Sequence, residues 1–351
     1  MILITGGAGF VGSSLALRLK QAFPEKKLVA FDNLKRRGSE LNLSRLREAG
    51  VEFIHGDIRQ PGDLDVGKVE WIIECSAEPS ALAGVDGSTD YLVHTNLLGT
   101  YHCLELARKH HAGMIFLSTS RVYPLRKIQE LNYRALSTRF ELENQQQIPG
   151  VSPMGISEDF PLDGARTLYG TTKLASELLI AEYIENFGLP IIINRCGVLT
   201  GPWQMGKVDQ GVVVLWMAKH FFSSKLSYIG FEGRGLQVRD MLHVEDLADL
   251  IEMQLHQPEQ FRGETYNVGG GVELSSSLLE LTEWCEKITD QSIPIQSDPE
   301  SRPGDIPWFI TDSRRIQNHS GWKPKRSLES IFEEIRHWIH SNQDQLRSII
   351  S

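Results

Sequence analysis

The stretch MILITGGAGFVGSSLALRL, residues 1–19, decides the fold of this 351-residue chain. A short apolar run is followed at once by a glycine-rich turn and then by residues with helical periodicity. The glycines satisfy two overlapping spacings, Gly6-x-x-Gly9-x-x-Gly12 and Gly7-x-Gly9-x-x-Gly12. Glycine is needed because the turn is tight, a pyrophosphate must approach the backbone closely, and the helix must pack against the strand. The stretch therefore predicts a strand, a turn and a helix that bind a dinucleotide.

The second apolar run ends in Asp32, twenty residues after Gly12. A carboxylate at this place binds the ribose hydroxyls of adenosine and repels a 2′-phosphate. The sequence therefore predicts NAD in preference to NADP, although the basic residues 35–37 leave room for the phosphorylated cofactor. Asp57 follows the third run, where its carboxylate can accept a hydrogen bond from the adenine amine. A plain turn aspartate is the alternative interpretation.

Strand-like and helical segments alternate through the first part of the chain. The further strand-like runs are KLVAFD (27–32), VEFIHGD (51–57), VEWIIEC (69–75), GMIFLSTS (113–120) and PIIINRC (190–196). Such alternation predicts an α/β protein with a parallel sheet covered by helices on both faces. The pattern becomes irregular from Pro202, which predicts a smaller second domain that interleaves with the first. We expect domains at 1–200, with 236–260 returning to it, and 201–351.

A long polar segment, residues 124–168, separates two tyrosines and shows only weak periodicity. Long loops in compact domains are more often functional than idle, so the sequence predicts a functional loop here. The segment LYGTTKLASE, residues 168–177, then places Tyr169 and Lys173 four residues apart. In a helix those side chains share a face. The apolar side of this amphipathic helix is predicted to consist of Leu174, Leu178 and Leu179.

The pairing of Tyr169 with Lys173 acquires a chemical meaning beside a bound NAD. A tyrosine is a poor base at neutral pH, but an ammonium and a nicotinamide cation stabilise its phenolate. Tyr169 is then a candidate general base, and Lys173 can also bind the nicotinamide ribose. A solvated lysine beside a half-buried tyrosine is the plainer alternative. Three hydroxyls, Ser118, Thr119 and Ser120, end a predicted strand at the sheet edge where ligands bind.

Composition excludes several other classes of function. The formal net charge of −9 disfavours binding to nucleic acid or to an anionic membrane surface. The four cysteines show no paired spacing, so neither a disulfide framework nor a metal site is predicted. The chain opens on a short apolar run followed by glycines, and no stretch of about 18 apolar residues occurs. These features predict a cytoplasmic location.

The glycine turn, the hydroxyl-bearing strand end and the Tyr-x-x-x-Lys helix together resemble the extended short-chain dehydrogenase/reductase superfamily over nearly the whole chain. The resemblance implies a Rossmann-type doubly wound parallel sheet with a smaller, interleaved α/β substrate-binding domain, and commonly a homodimer. It implies Thr119, Tyr169 and Lys173 as the catalytic residues, Thr119 because it stands three residues before Val122. The implied cofactor-binding residues are Gly6, Gly9, Phe10, Val11, Gly12, Asp32, Asn33, Arg36, Asp57, Ile58, Ser76, Ala77, Asn96, Tyr169 and Lys173.

The resemblance also implies a nucleotide-diphosphate sugar as the substrate. Nucleotide-sugar dehydratases of the family carry Asp and Glu after the catalytic threonine, whereas this chain has Ser120 and Arg121. Without those acids elimination of water loses its proton donor. A polar residue followed by a cation resembles the CDP-paratose 2-epimerase branch, as do WQMGKVDQGVVVLW with its Asp209-Gln210-Gly211 and GRGLQVRDMLHVEDL. The implied substrate-binding residues are Glu78, Arg121, Gln204, Gln210, Arg239 and Arg302.

The chain departs from the family pattern at two places. Val198 stands where an asparagine often contacts the diphosphate, and the usual His-Leu-Ala-Ala of the fourth strand reads ECSAEP, with Glu74 and Glu78. Either carboxylate can alter which sugar hydroxyl is recognised. A 4-epimerase or a dehydrogenase of a nucleotide sugar therefore remains an alternative, and a catalytically silent NAD-binding sensor is an alternative of another class.

Overall fold

The computed structural model of the chain describes residues 1–85, 87–206 and 210–350. Its strands are β1 (Ile2–Thr5), β2 (Leu28–Asp32), β3 (Glu52–His55), β4 (Trp71–Glu74), β5 (Gly113–Thr119), β6 (Tyr133–Ala135), β7 (Phe140–Leu142), β8 (Val151–Ser152), β9 (Gly155–Ile156), β10 (Ile191–Cys196), β11 (Val198–Thr200), β12 (Leu226–Ile229), β13 (Val238–His243), β14 (Thr265–Val268), β15 (Ser275–Ser277), β16 (Ile295–Asp298) and β17 (Trp308–Phe309).

The α-helices vary widely in length. They are α1 (Phe10–Ala22), α2 (Asn42–Glu48), α3 (Asp90–Val93), α4 (Gly99–His110), α5 (Leu125–Gln129), α6 (Leu168–Phe187), α7 (Val212–Phe221), α8 (Val244–His256), α9 (Pro258–Phe261), α10 (Leu278–Thr289), α11 (Arg314–Ser320), α12 (Leu328–Ser341) and α13 (Gln343–Ile350). A π-helical stretch, His94–Leu98, joins α3 to α4. In the described part of the chain, no helix is both long and apolar enough to cross a membrane.

Seven strands form one parallel sheet in the order β14, β10, β5, β4, β1, β2, β3. The six strand-like runs of the sequence are β1 to β5 and β10, so the predicted Rossmann-type doubly wound sheet is confirmed. The strand order reverses between β1 and β4, and open α/β sheets bind ligands at the carboxyl ends of strands beside such a reversal. The seventh strand of this sheet, β14, was not predicted because its four residues, TYNV, are too short to show a period and are followed directly by glycines.

The sheet owes its stability to burial on both faces. Every residue of β1 and of β5 is buried, as expected for parallel strands covered by helices on each side. One cluster of core side chains packs between the sheet and helices α4 and α6; its members include Leu3, Phe31, Ile72, Leu104, Phe116, Ile180 and Ile191. Burying one such side chain is worth roughly 1.5–3 kcal/mol. This packing holds the strand ends that carry the site in fixed positions.

The chain forms two compact units, each built from three segments. Unit 1 comprises Met1–Val122, Leu168–Arg195 and Val244–Tyr266, and unit 2 comprises Tyr123–Thr167, Cys196–His243 and the chain from Asn267 onward. These bounds differ from the expected division at 1–200, 236–260 and 201–351. The largest difference is that residues 123–167 group with unit 2. The reason lies in backbone pairing within unit 2, where Ile156 of β9 bridges Thr311 and Phe140 of β7 donates to Leu236.

The polar segment 124–168 is not one long loop, so that part of the prediction was wrong, whereas its functional role stays a prediction. It holds helix α5 and two short antiparallel hairpins, β6–β7 and β8–β9. Gly150 and Gly155 make the second hairpin possible, since both have positive φ and a Cβ at either would stand 2.2 to 2.5 Å from neighbouring backbone atoms. Pieces of two or three residues are too short for periodicity to reveal them.

Candidate functional site

The glycine turn lies between β1 and α1 and is packed too tightly for any side chain. A Cβ on Gly12 would stand 2.2 Å from the carbonyl oxygen of Gly6. Gly6 itself has φ +64°, and its Cβ would stand 2.9 Å from the carbonyl carbon of Cys75. Helix α1 begins at Phe10 directly after this turn, so the amides of its first turn have no intrahelical acceptor. The turn therefore fits a pyrophosphate bound on backbone N–H groups, as the sequence predicts.

Asp32 stands at the carboxyl end of β2 and is fixed by backbone amides. Its Oδ2 accepts from the amide of Ala8 in the glycine turn at 3.1 Å, and its Oδ1 accepts from Leu34 at 2.8 Å. Burial raises the pKa of this carboxyl, while those amides oppose the rise. The amide of Gly9 also binds this carboxylate, so of its roughly four acceptor positions about one is left for a ribose hydroxyl. Asp32 thus ties the turn to β2 and presents a negative charge where a 2′-phosphate would have to sit.

The end of the site beside β3 is held by Asp57. Its carboxylate accepts from Arg59 Nη2 at 2.6 Å and from Asn33 Nδ2 at 3.1 Å. The hydrogen bonds from Arg59 lower the pKa of Asp57 to about 2. The Lys35 ammonium and the Arg59 guanidinium lie over the ring of Tyr91, at 4.3 and 4.7 Å from its centroid. The turn-aspartate interpretation of Asp57 and the adenine-binding one remain compatible with this arrangement.

Asn96 clamps the loop that follows β4. Its Oδ1 accepts from the amide of Glu78 at 2.8 Å, and its Nδ2 donates to the carbonyl of Glu78 at 3.1 Å and to Thr172 Oγ1 at 3.2 Å. These contacts fix the loop that carries Ser76 and Ala77 against α6. The Asn96 side chain is thus hydrogen-bonded to protein groups. Its direct contact with the cofactor stays a prediction.

The hydroxyls at the end of β5 have different environments. The Ser118 hydroxyl donates to Glu177 of α6, and Arg195 of β10 binds the same carboxylate with Nη2 at 2.7 Å. Ser118 is therefore committed to this buried cluster. The Thr119 oxygen instead accepts from the amide of Arg121 at 3.2 Å, which leaves its own O–H available as a donor. The geometry favours Thr119, the residue that the family resemblance implies.

Helix α6 carries Tyr169 in its first turn and Lys173 one turn later. Its buried positions are Gly170, Thr172, Lys173, Ser176, Glu177 and Ile180. The predicted apolar side was wrong at Leu178, which is 65% exposed; Leu174 and Leu179 are half-buried, and Leu179 packs against the core. Polar residues can face the sheet here since each has a partner: Ser176, for example, donates to the carbonyl of Asn96 at 3.0 Å.

Lys173 is one of the most deeply buried charged side chains of unit 1. Its side chain is 2% exposed, and its Nζ lies 3.4 Å from Oε2 of Glu74, which is completely buried at the end of β4. The same ammonium stands 4.3 Å from the centroid of the Phe116 ring in β5. Burial raises the pKa of the Glu74 carboxyl, and the Lys173 charge opposes that rise. Glu74 therefore faces the lysine, not open space as a sugar-contacting carboxylate would.

The substrate-binding candidates of unit 2 are held by local contacts. Arg239 Nη2 donates to Asp305 Oδ1 at 3.1 Å and to the carbonyl of Ile306 at 2.7 Å. Arg302 is half-buried three residues before Asp305. The candidates Gln204 and Gln210 lie six residues apart in sequence, and Gln204 is buried with its Nε2 donating to the carbonyl of Leu199. Gln210 is half-buried, and Asp209 lies outside the described residues.

Two features of the site were not predicted from the sequence: the cluster of Ser118, Glu177 and Arg195, and the pairing of Glu74 with Lys173. Glu177 stands four residues after Lys173, a spacing that predicts a shared helix face. That signal was available, but the partner arginine is 18 residues further along the chain and nothing in its local pattern links the two. Unit 1 thus brings together the glycine turn, Asp32, Thr119 and the lysine-bearing face of α6.

Comparison with known proteins shows the family to which the chain belongs. The model of the NAD dependent epimerase/dehydratase family matches residues 2–269. The chain belongs to this family: it is an enzyme of the nucleotide-sugar epimerase/dehydratase class, and its cofactor is NAD. CDP-paratose 2-epimerase of Salmonella typhi is 31% identical to it over 350 residues, which are 97% of this chain and 99% of that protein.

Two further relatives show how far the similarity extends. dTDP-glucose 4,6-dehydratase of Salmonella typhimurium is 26% identical over 372 residues, covering 100% of this chain and 95% of that protein. Among solved structures, Pal from Bacillus thuringiensis superposes with a TM-score of 0.79 at 24% identity and covers 97% of this chain and 99% of its own. At that identity the structural likeness supports the fold.

Proposed function

We propose that the protein is an NAD-dependent epimerase of a nucleotide-diphosphate sugar and that it is not a dehydratase. The observation that carries this proposal is the run Thr119-Ser120-Arg121 at the end of β5. Elimination of water needs an acid beside the catalytic threonine, and a serine and an arginine cannot supply one at neutral pH. The similarity to CDP-paratose 2-epimerase supports the same conclusion.

The proposed mechanism assigns one task to each residue of unit 1. NAD, when bound, accepts a hydride from a sugar carbon and later returns it. The Tyr169 phenolate accepts the proton of the sugar hydroxyl during oxidation and donates it back during reduction. The Thr119 hydroxyl, fixed by the amide of Arg121, donates to the sugar oxygen as it becomes a ketone. Lys173 holds its ammonium near the phenolate and favours the ionised form.

Epimerisation further requires that the keto-sugar rotate in the site before it is reduced, so that hydride returns to its other face. No residue has to move for this step, because only the sugar changes the face that it presents to the cofactor. The nucleotide diphosphate must then stay bound while the sugar turns. Arg239 and Arg302 in unit 2 are our candidates for that anchor, since a guanidinium fork suits phosphate oxygens. For Arg239 this requires that it bind phosphate beside Asp305.

The finer parts of the proposal concern the substrate, the assembly and the location. We propose a sugar like that of CDP-paratose, epimerised at carbon 2, with a 4-epimerase or a dehydrogenase as the alternative. We also propose a homodimer. Leu98, Tyr101 and Leu178 are 39%, 40% and 65% exposed on or beside α4 and α6, which pack against each other in unit 1. The cytoplasmic location remains a prediction.

The direct test is incubation of the purified protein with CDP-paratose, dTDP-glucose and UDP-glucose, followed by NMR of the sugars. We expect an isomer of the substrate to form without accumulation of NADH. Net formation of NADH would identify a dehydrogenase, and a 4-keto-6-deoxy product would identify a dehydratase. Turnover of none of the sugars, with NAD still bound, would favour the silent sensor.

A further inference from the structure

Glu74 forms a buried pair with Lys173, but the proposed mechanism gives a role only to the lysine. The two side chains are 2% and 0% exposed, and their Nζ and Oε2 atoms are 3.4 Å apart. Charge-assisted N–H···O hydrogen bonds are usually about 2.7–2.9 Å long, so the ammonium is held loosely. Among the described residues, Oε1 of Glu74 has no hydrogen-bond partner. A carboxylate that is completely buried and only half satisfied is costly, and such cost is typical of functional positions.

We propose that Glu74 is a positioning residue for Lys173: its carboxylate keeps the buried ammonium charged and directed to the nicotinamide ribose and the Tyr169 oxygen. This inference rests on the role of Lys173 in the proposed function. The physical reason is that an ammonium without water or a counter-charge tends to lose its proton. The face of the Phe116 ring lies 4.3 Å from the ammonium, and Glu74, at 3.4 Å, supplies the counter-charge.

Apart from the two partners, the groups around the pair are mostly uncharged. The backbone amide of Ser76 and the hydroxyl of Thr100 lie beside the Glu74 carboxylate, and both lower its pKa. Helix α4 presents Cys103, and burial raises the pKa of that thiol well above its usual value, so it stays neutral. Strand β1 presents Thr5, which is paired in register with Glu74, and β5 presents Phe116. Tyr169 lies one turn before Lys173 on α6. The charge balance at the lysine therefore depends on Glu74 and on the ionisation of Tyr169.

A double-mutant cycle tests the proposal without any substrate. Glu74→Gln, Lys173→Met and the double variant are titrated with NAD in a calorimeter, and their melting temperatures are recorded. We expect each single change to weaken NAD binding roughly tenfold, with the double variant no weaker than Lys173→Met alone. The double variant should also melt above both single variants, because neither charge is then left buried alone. Additive losses in affinity, or wild-type affinity in Glu74→Gln, would overturn the proposal.

Two further variants separate positioning from general support of the fold. Gln254→Leu removes a buried amide pair, Asn194 with Gln254 at 2.9 and 3.0 Å, in the same unit. This control should lower the melting temperature and leave NAD affinity unchanged. Where turnover is measurable, Glu74→Gln should move the acid limb of the pH profile upward by about one unit, and Glu74→Asp should restore it. A coupled cycle with no sugar turned over would uphold this inference while the proposed function failed.

Discussion

At Tyr169 the proposed chemistry depends on one oxygen atom. Tyr169→Phe keeps the ring and its packing in the first turn of α6 but removes the group that accepts the proton. We expect turnover to fall by about 10²–10⁴, the usual contribution of a general base, while NAD affinity stays close to wild type. Steady-state kinetics and calorimetry on the same preparation measure both quantities.

A second variant, Thr119→Val, serves for comparison, because it preserves the shape of the side chain and removes one hydrogen-bond donor. It should slow turnover in the same direction but less steeply, since it removes a hydrogen bond to the developing ketone and leaves the base in place. Retention of more than about a tenth of wild-type turnover by Tyr169→Phe would remove the tyrosine as base. Glu78, in the loop clamped by Asn96, would be the next candidate.

His243 should make the stability of the protein depend on pH. It is 1% exposed, and burial, with a smaller contribution from Arg326, lowers its pKa to about 4. Glu334 lies 3.4 Å away, but its carboxylate is half-exposed and therefore screened. The folded state thus favours the neutral ring. Stability is present above the unfolded pKa near 6.5 and is lost as the pH falls toward 4.

The variant His243→Gln lacks this titration, so its melting temperature should fall less between pH 7 and 4 than that of the wild type. A difference of about 2.5 pKa units corresponds to roughly 3 kcal/mol. His220, whose pKa burial also lowers, is present in both proteins, so its effect cancels. Parallel curves of melting temperature against pH would show that His243 is not the group responsible.

Residue identity could be predicted where a motif fixes both the type and the place. Thr119, Tyr169, Lys173 and Asp32 belong to patterns whose spacing carries the information. Glu74 differs, because its meaning depends on a lysine 99 positions away that approaches it only in the folded chain. Sequence showed that a carboxylate replaced the usual histidine there. It could not show that this carboxylate lies against Lys173.

The glycine turn between β1 and α1, together with Gly12 in the first turn of α1, has no room for a Cβ atom. In a helix alanine is normally preferred to glycine by about 1 kcal/mol. At Gly12, however, a Cβ would stand 2.2 Å from a backbone oxygen that cannot turn aside. We expect Gly12→Ala to lower the melting temperature, with a cost of roughly 1–3 kcal/mol, and to weaken NAD binding at least tenfold.

The matched control is Gly62→Ala, because a Cβ at Gly62 meets nothing within 4 Å. Its melting temperature and NAD affinity should equal those of the wild type. Thermal melts with and without NAD compare the two variants directly. Wild-type NAD affinity in Gly12→Ala would mean that the turn can open, and the pyrophosphate would then have to be placed elsewhere.

Element boundaries were predictable for the parallel sheet and much less so elsewhere. Six of the seven strands could be identified from short strand-like runs that alternate with helical segments, and the runs are most nearly continuous and apolar where a strand is buried on both faces, as in β1 and β5. The buried face of helix α6 could not be predicted from apolar periodicity, because that face is polar. Its hydrogen-bond partners come from β4, β10 and the segment before α4. Tertiary hydrogen bonds, which no local window contains, decided which face is buried.

At the scale of the whole molecule, successive segments of the chain belong to different compact units. Unit 1 is completed by 168–195 and 244–266, and unit 2 takes 123–167 from near the end of the first half. The irregular pattern from Pro202 predicted a second domain that interleaves with the first. It could not predict which stretch belongs to which unit, since the hairpins of 123–167 are too short to show which strands they pair with.

The proposed homodimer yields the prediction that belongs to this scale. Leu178 is 65% exposed on α6, the helix that also carries Tyr169 and Lys173. In a two-fold dimer each interface residue is present twice, so one substitution removes two buried side chains. At roughly 1.5–3 kcal/mol per leucine, Leu178→Glu should weaken dimerisation by about 10²–10⁴. Sedimentation over a range of concentrations measures this change. Met154→Glu, at a position 46% exposed in unit 2, is the control and should sediment as the wild type does. If Leu178→Glu remained as dimeric as that control, α6 would not be the interface, and its exposed leucine would be an isolated surface residue.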